Sequence, residues 1–313
     1  TVLVELKARF DEENNIAWAK KLEKAGCHVI YGLVGLKTHS KIALVVRREE
    51  DGIKRYVHLG TGNYNDATAK LYTDMGLLTC SDPIGEDATA VFNMLSGYSE
   101  PKKWNKLAVA PIWLKDKFLM LINREAENAR QGKKGRIIAK MNSLCDPKIM
   151  HALYDASAAG VKIDLIVRGI CCIRAGVPGL SENISVRSIV GNYLEHSRIF
   201  YFYNDGFEDI YMGSADWMPR NLDKRVEITF PVEDPELKEK IKNILKIQLA
   251  DTLKAHIMQP DGSYEKQDLR GKVRLDSQMY FVEEARKSQK EEDEVEDKRV
   301  FIPVEAEEPE EDI

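Results

Sequence analysis

No stretch of this chain is apolar for long enough to cross a bilayer, and no charged-then-apolar leader of the signal-peptide kind opens it. Cysteine is scarce. The five present are Cys27, Cys80, Cys145, Cys171 and Cys172, an odd number with no Cys-x-x-Cys pair and no histidine at zinc spacing. They are expected to be reduced, mostly buried thiols of a cytoplasmic protein. A phosphate loop is missing too. Gly32-Leu33-Val34-Gly35-Leu36-Lys37-Thr38 ends in Lys-Thr after two glycines, but Leu36 separates Gly35 from Lys37 and only two residues part the glycines. Consecutive amides then cannot cradle a phosphate, and Gly32 and Gly35 are read as turn glycines. An initiator Met is also absent, and Thr1-Val2-Leu3-Val4-Glu5 reads as the interior of a strand. The sequence is expected to be the carboxyl-terminal piece of a longer protein.

What is there suits a soluble globular protein: 313 residues, 43% hydrophobic and 31% charged, with a formal charge of −5. That charge is unevenly spread. Residues 291–313 hold twelve acidic residues against Lys298 and Arg299, a local charge of −10, so the remainder carries −5 + 10 = +5. The acidic end is expected to be a disordered, solvated tail, assigned to 285–313. The mildly basic remainder fits an anionic ligand.

Periodicity predicts two α/β units with mixed sheets flanked by helices. The first, residues 1–100, alternates a strand at 1–7, a helix from Asp11 or Glu12 to Lys24, a strand at 28–33, a hairpin of 41–48 with 55–59 across Glu50-Asp51-Gly52, a strand at 77–80 and a helix at 84–97. A polar connection near 98–105 with Pro101 is the expected boundary. The second unit, 106–275, has helices at 114–131, 147–159 and 235–251, and strands at 136–141, 162–168, 184–190, 197–203, 209–213 and 224–231. His256 is placed in a terminal helix. His28 and His151 read as packing or helix-surface residues, and His58 adjoins a glycine cluster.

One local pattern occurs twice. Thr38-His39-Ser40-Lys41-Ile42 matches Glu195-His196-Ser197-Arg198-Ile199, and each is followed by a small-residue cluster, Gly60-Thr61-Gly62-Asn63 and Gly213-Ser214-Ala215-Asp216. A histidine and a cation two residues apart on an extended segment face the same way, which sets an acid, base or nucleophile beside a fixed positive charge. Such a pair suits phosphoryl chemistry. Either copy alone would read as a loop histidine. Two copies, 196 − 39 = 157 residues apart, are spaced as expected when two similar domains each supply half of a shared site.

The duplicated His-x-Lys/Arg with its later small-residue cluster resembles the half-sites of the phospholipase D superfamily. That motif has an Asp after the cation with four residues between them, where this chain has Val46 and Tyr203. The fuller resemblance is to the first family of bacterial polyphosphate kinases. It rests on Val4-Glu5-Leu6-Lys7-Ala8-Arg9-Phe10-Asp11-Glu12-Glu13, His58-Leu59-Gly60-Thr61-Gly62-Asn63-Tyr64-Asn65, Leu71-Tyr72-Thr73-Asp74, Leu165-Ile166-Val167-Arg168-Gly169, Tyr193-Leu194-Glu195-His196, and Ser214-Ala215-Asp216-Trp217-Met218 with Arg220-Asn221. These span residues 1 to about 275.

The resemblance implies two phospholipase D-like domains sharing one active site, and reversible transfer of the ATP terminal phosphate to inorganic polyphosphate through a phosphohistidine. It implies His39 as the nucleophile, His196 as the acid or base at the leaving oxygen, and Tyr72 and Arg168 as nucleotide-phosphate contacts; Lys41 and Arg198, beside the histidines, and Asn63 are further candidates to bind phosphate. Arg9 matches an arginine of the magnesium-phosphate site. Having no lone pair to offer, it would act on the phosphate oxygens that carry Mg²⁺. Asn63 and Asp216 occupy corresponding places and are candidates to orient the histidines or phosphates, Asp216 by fixing an imidazole tautomer. The partners implied are ATP, ADP and polyphosphate, without nucleic acid or a transmembrane segment. Self-association and a cytoplasmic location, at most peripheral to the inner membrane, are implied too. Two alternatives stay open: a phospholipase D-like phosphodiesterase, and a polyphosphate-binding or assembly module without full activity.

Overall fold

In a computed structural model of the chain, the structure describes residues 1–6, 12–97, 99 and 101–296. Arg9 and residues 297–313 of the acidic stretch lie outside them. The first half runs β1 (Val2–Leu3), α1 (Glu12–Lys24), β2 (Val29–Ile30), β3 (Lys37–Thr38), β4 (Ile42–Glu49), β5 (Gly52–Gly60), α2 (Asp66–Ala69), β6 (Tyr72–Thr73), β7 (Gly76–Thr79) and α3 (Asp82–Leu95). The second runs β8 (Ala108–Ala110), α4 (Leu114–Arg130), β9 (Arg136–Met141), α5 (Pro147–Ala158), β10 (Lys162–Val167), β11 (Ile184–Ile189), β12 (Leu194–Glu195), β13 (Arg198–Phe202), β14 (Asp209–Gly213), α6 (Pro219–Lys224), β15 (Arg225–Val232), α7 (Pro235–Leu249), β16 (Ala255–Met258), β17 (Tyr264–Lys266) and α8 (Ser277–Glu296).

Local chemistry sets the ends of these elements. Asp146 and Asp234 each accept a hydrogen bond from the amide three residues on, at 3.1 and 2.9 Å, with proline in the next position, and so start α5 and α7. Gly52 turns β4 into β5 at φ 126°, a conformation that a side chain would resist.

Ten strands form the main sheet, in the order β17-β16-β11-β10-β9-β13-β14-β15-β3, with β8 also on β15. β9, β10 and β11 are parallel, and β13 turns antiparallel against β9. The first half contributes a three-stranded antiparallel sheet, β4-β5-β7, and the parallel pair β1-β2. One apolar cluster lies between the main sheet and α4 and α5, centred on Phe118, Phe200 and Trp217. The other is built by both halves. Val57, Leu59, Ile84 and Val91 of the first pack with Ile199, Tyr201, Ile228 and Ile241 of the second, so the two units meet through shared core as well as through their site.

Three expectations change. His256 stands on β16, paired antiparallel with β11 at Ser188, and not in a helix; a four-residue strand carries too little alternation to be read from sequence. No cysteine is buried: Cys27, Cys145 and Cys171 are half-buried, and Cys80 and Cys172 exposed. α8 continues to Glu296, so the first twelve residues of the stretch expected to be disordered are helical. Glu, Lys and Gln dominate them, and these are good helix formers.

Trp217 is fully buried, stacked on Phe200 at 5.1 Å and edge-on to Phe118 at 5.4 Å. Trp217→Ala should cost about 3–5 kcal/mol, measured as a fall in the denaturant midpoint. Trp18→Ala, at a position 52% exposed, should cost less than about 1 kcal/mol.

Candidate active site

Two short parallel pairings build the site. β3 lies beside the start of β15, with Thr38 opposite Val226, and β12 lies beside β6, with Glu195 opposite Thr73. One residue further on, His39 meets Glu227 and His196 meets Asp74. Each histidine therefore takes its carboxylate from the other half of the chain.

His39 Nδ1 lies 2.9 Å from Glu227 Oε2. Glu227 is fully buried, and Asn221 Nδ2 donates to its other oxygen at 2.6 Å. Burial opposes its charge, but His39, Lys41 and Ser214 hold it below the ordinary carboxylate range. An ionised carboxylate only accepts, so Nδ1 carries the hydrogen and Nε2 keeps a free lone pair. Burial also lowers the His39 imidazole, helped by Lys41 and Arg198 and opposed by Glu227. Neutral imidazole is the favoured form near pH 7.

His196 is the counterpart. Its Nδ1 lies 2.8 and 2.9 Å from the two oxygens of Asp74, to which Thr61 Oγ1 also donates at 2.7 Å. Tyr72 packs its ring on the imidazole with centroids 4.8 Å apart. Burial lowers His196 as well, Asp74 opposing and Arg198 and Lys41 adding. Each cation thus acts on both imidazoles, which places the two half-sites in one electrostatic environment.

The cations are themselves buried. Lys41, 5% exposed, donates through Nζ to the His39 carbonyl, and burial pushes its ammonium down to about 7, Arg198 adding and Glu227 opposing. Arg198 donates through Nε to Asp216 at 3.1 Å and through Nη1 to the His196 carbonyl at 2.8 Å. The same Nη1 lies 3.1 and 3.2 Å from the two ring nitrogens of His196. In-plane lone pairs diverge too widely for one donor to serve both, so this is a charge held against the ring. Nη1 also reaches Thr61 O of the first half at 3.5 Å.

Among the residues singled out from sequence, His39, Lys41, Tyr72, His196 and Arg198 come together here. Arg168 stands beside them, its Nε donating to Asn142 at 2.9 Å and its guanidinium interacting with Arg198 and Tyr72. Asn63 is exposed, and among the described residues no hydrogen bond ties its side chain to either histidine. Asp216 holds Arg198 and the Asn142 amide, at 2.8 Å, rather than an imidazole; the carboxylates that orient the rings are Asp74 and Glu227. Sequence reading passed over both. Glu227 is a lone acid inside the apolar run of β15, and Asp74 follows Tyr72 in a stretch that already carried the resemblance. Arg225, 3.9 Å from Glu227, is a further cation missed. Among the described residues no group of three or more His, Cys, Asp or Glu could hold a metal ion.

Residues 1–101 match the family described as polyphosphate kinase C-terminal domain 1, and residues 107–278 match polyphosphate kinase C-terminal domain 2. The chain belongs to the polyphosphate kinase family. It is 62% identical over 263 residues to a polyphosphate kinase of Synechocystis sp., covering 84% of this chain and 36% of that one. It is 57% identical over 290 residues to one of Lactiplantibacillus plantarum, covering 93% and 40%. A crystal structure of polyphosphate kinase from Porphyromonas gingivalis superposes with a TM-score of 0.84 at 38% identity, over 92% of this chain and 44% of that one. The chain therefore spans less than half the length of these polyphosphate kinases.

Two outcomes follow from the geometry. Lys41 is charged in the unfolded chain up to its ordinary value of 10.5 but loses its proton near 7 when folded. Its burial therefore opposes folding fully below about pH 7 and progressively less up to 10.5. Lys41→Met should accordingly raise stability below pH 7, by on the order of 3–5 kcal/mol at most, and the gain should shrink as pH rises toward 10.5; thermal melts across pH check it. A Cβ at Gly62 would overlap the Asp74 carboxylate, so Gly62→Ala should detach Asp74 from His196, visible as loss of the downfield Nδ1 proton resonance.

Proposed function

We propose that this chain carries the phosphoryl-transfer centre of an enzyme that moves the ATP terminal phosphate reversibly to polyphosphate, with His39 as the nucleophile. The observation that carries the reading is the asymmetry of the two imidazoles. His39 and His196 each give Nδ1–H to a carboxylate, but the fixed guanidinium lies against the ring of His196, while Lys41 spends its proton on a backbone carbonyl. A cation against a ring opposes positive charge building on it, as it must when nitrogen attacks phosphorus. His39 has no cation against its ring, though Lys41 and Arg198 act on it from further off, and the ionised Glu227 behind it favours the charge as Asp74 does for His196. The names of the relatives support the substrate class.

In the forward direction the Nε2 lone pair of His39 attacks the terminal phosphorus of ATP. The N–P bond forms as the bond to the bridging oxygen breaks, and ADP leaves with that electron pair. A terminal oxygen of polyphosphate then attacks the phosphohistidine and restores neutral His39. His196, oriented by Asp74, serves as acid or base at the departing and entering oxygens. Lys41, Arg198 and Arg168 neutralise charge on the non-bridging oxygens. Tyr72 packs beside them as a nucleotide-phosphate contact, and Asn63 would have to swing inward to join. Mg²⁺ would enter on the substrate's phosphate oxygens, which fits the lack of a ligand cluster among the described residues; no step here passes through it.

The test is incubation with γ-labelled ATP and Mg²⁺. The chain should take up acid-labile, base-stable label at His39 and lengthen polyphosphate. His39→Ala should abolish both, and His196→Ala should slow turnover about 100-fold or more while leaving slow labelling. Label on His196 would reverse the roles. Label without polymer growth would reduce this stretch to one half-reaction, and cleavage of phosphodiesters without label would replace the reading with phosphodiesterase chemistry.

A further inference from the structure

A buried polar cluster guards the approach to His196, and the chemistry above leaves it without a task. Glu195, the residue before His196, is 5% exposed. Its Oε2 faces Lys140 Nζ and Gln248 Nε2, both at 2.9 Å, and Thr73 Oγ1 at 3.1 Å. Its Oε1 accepts from Gln278 Nε2 at 2.8 Å. Gln278 stands on α8 and is 4% exposed. Its amide also closes on Tyr193 from both sides, Nε2 donating to the Tyr193 carbonyl at 2.9 Å and Oε1 accepting from its N–H at 3.0 Å.

A single side chain thus treats Tyr193 as a neighbouring strand would, immediately before β12 and His196. Room is reserved for it: a Cβ at Gly191 would run into Gln278 Oε1 and lie 2.8 Å from its Cδ. The start of α8 is pinned independently, since the Ser277 amide and Oγ donate to buried Asp251 at 2.8 and 2.6 Å. Beyond that turn a cavity of about 400 Å³ opens between β6 and α8, lined by Tyr72, Thr73, Asp74, Phe281 and Val282. Directed bonds, more than close packing, hold the helix there.

We propose that Gln278 is a positioning residue for His196, and that α8 is thereby part of the active-site scaffold. Gln278 fixes Tyr193 and Glu195, these fix β12, and β12 delivers His196 to Asp74. The matched family region ends at residue 278, so most of α8 lies outside it. The groups facing the His196 imidazole are Asp74, Tyr72, Arg198 and Lys41, none of them on α8. A change at Gln278 can reach the ring only through its position.

Two variants separate this from general stabilisation. Gln278→Ala removes the amide, and Gly191→Ala keeps it but fills the space it needs. In the chain with ¹³C-labelled histidine, imidazole titrations are followed by NMR, with His196→Gln assigning the resonance. Both variants should shift the His196 titration by about half a pH unit or more and leave the His39 curve in place. An unmoved His196 in either variant overturns the proposal, and so does a parallel shift of both histidines. These readouts need no turnover and stand even if the phosphotransfer reading, on which the catalytic meaning of the proposal rests, fails. Where transfer is measured, kcat should fall by up to about 100-fold, the cost of a misplaced reacting group, with KM for polyphosphate little changed; a rise in KM alone overturns the proposal.

Discussion

The exchange of carboxylates between the halves is the constraint on which the rest of the site depends. Two residues of parallel pairing on each side, Thr38 with Val226 and Glu195 with Thr73, set the register that brings Glu227 to His39 and Asp74 to His196. A slip of one residue would turn each carboxylate to the opposite face of its strand. The shared apolar cluster of Val57, Leu59, Ile199 and Ile228 keeps that register from moving. Packing energy is thereby converted into the orientation of two rings.

Charge is the second organising term. Lys41, Arg198, Glu227 and Asp216 are all 7% exposed or less, and each has an opposite charge or a polar partner. Lys41 is the least well compensated, which is why its proton is weakly held. A polyanion entering beside it would supply the missing counter-charge. The burial of this charge costs stability, a common trade at functional centres.

Much of this was legible in the sequence. The β9 strand, α1, α4 and α5 were placed within a residue or two by their period, and the β4-β5 hairpin within three, its second strand starting at Gly52 and not at 55. The duplicated His-x-cation pattern pointed to the two rings and their cations directly. What stayed hidden were the pairings between distant short strands. Strands of two residues such as β3, β6 and β12 have no period to read, yet they decide which acid serves which histidine. Proximity in sequence suggested Asp216 for His196; the fold gives Asp216 to Arg198 and brings Asp74 from 122 residues away. Acidic composition suggested disorder after residue 285, but Glu, Lys and Gln also propagate a helix once its first turn is anchored, as Ser277 and Gln278 anchor α8.

The span between His39 and Glu227 bears on the order in which the chain is made. The orienting acid lies 188 residues after His39 and is made long after its strand, hairpin and glycine cluster. Until then the imidazole is exposed to water, free to choose either tautomer and remote from Arg198. The nascent first half therefore holds a histidine that resembles any other on a growing polypeptide. The orientation of this imidazole is therefore set only when β15 docks, with α7, β16, β17 and α8 still to follow.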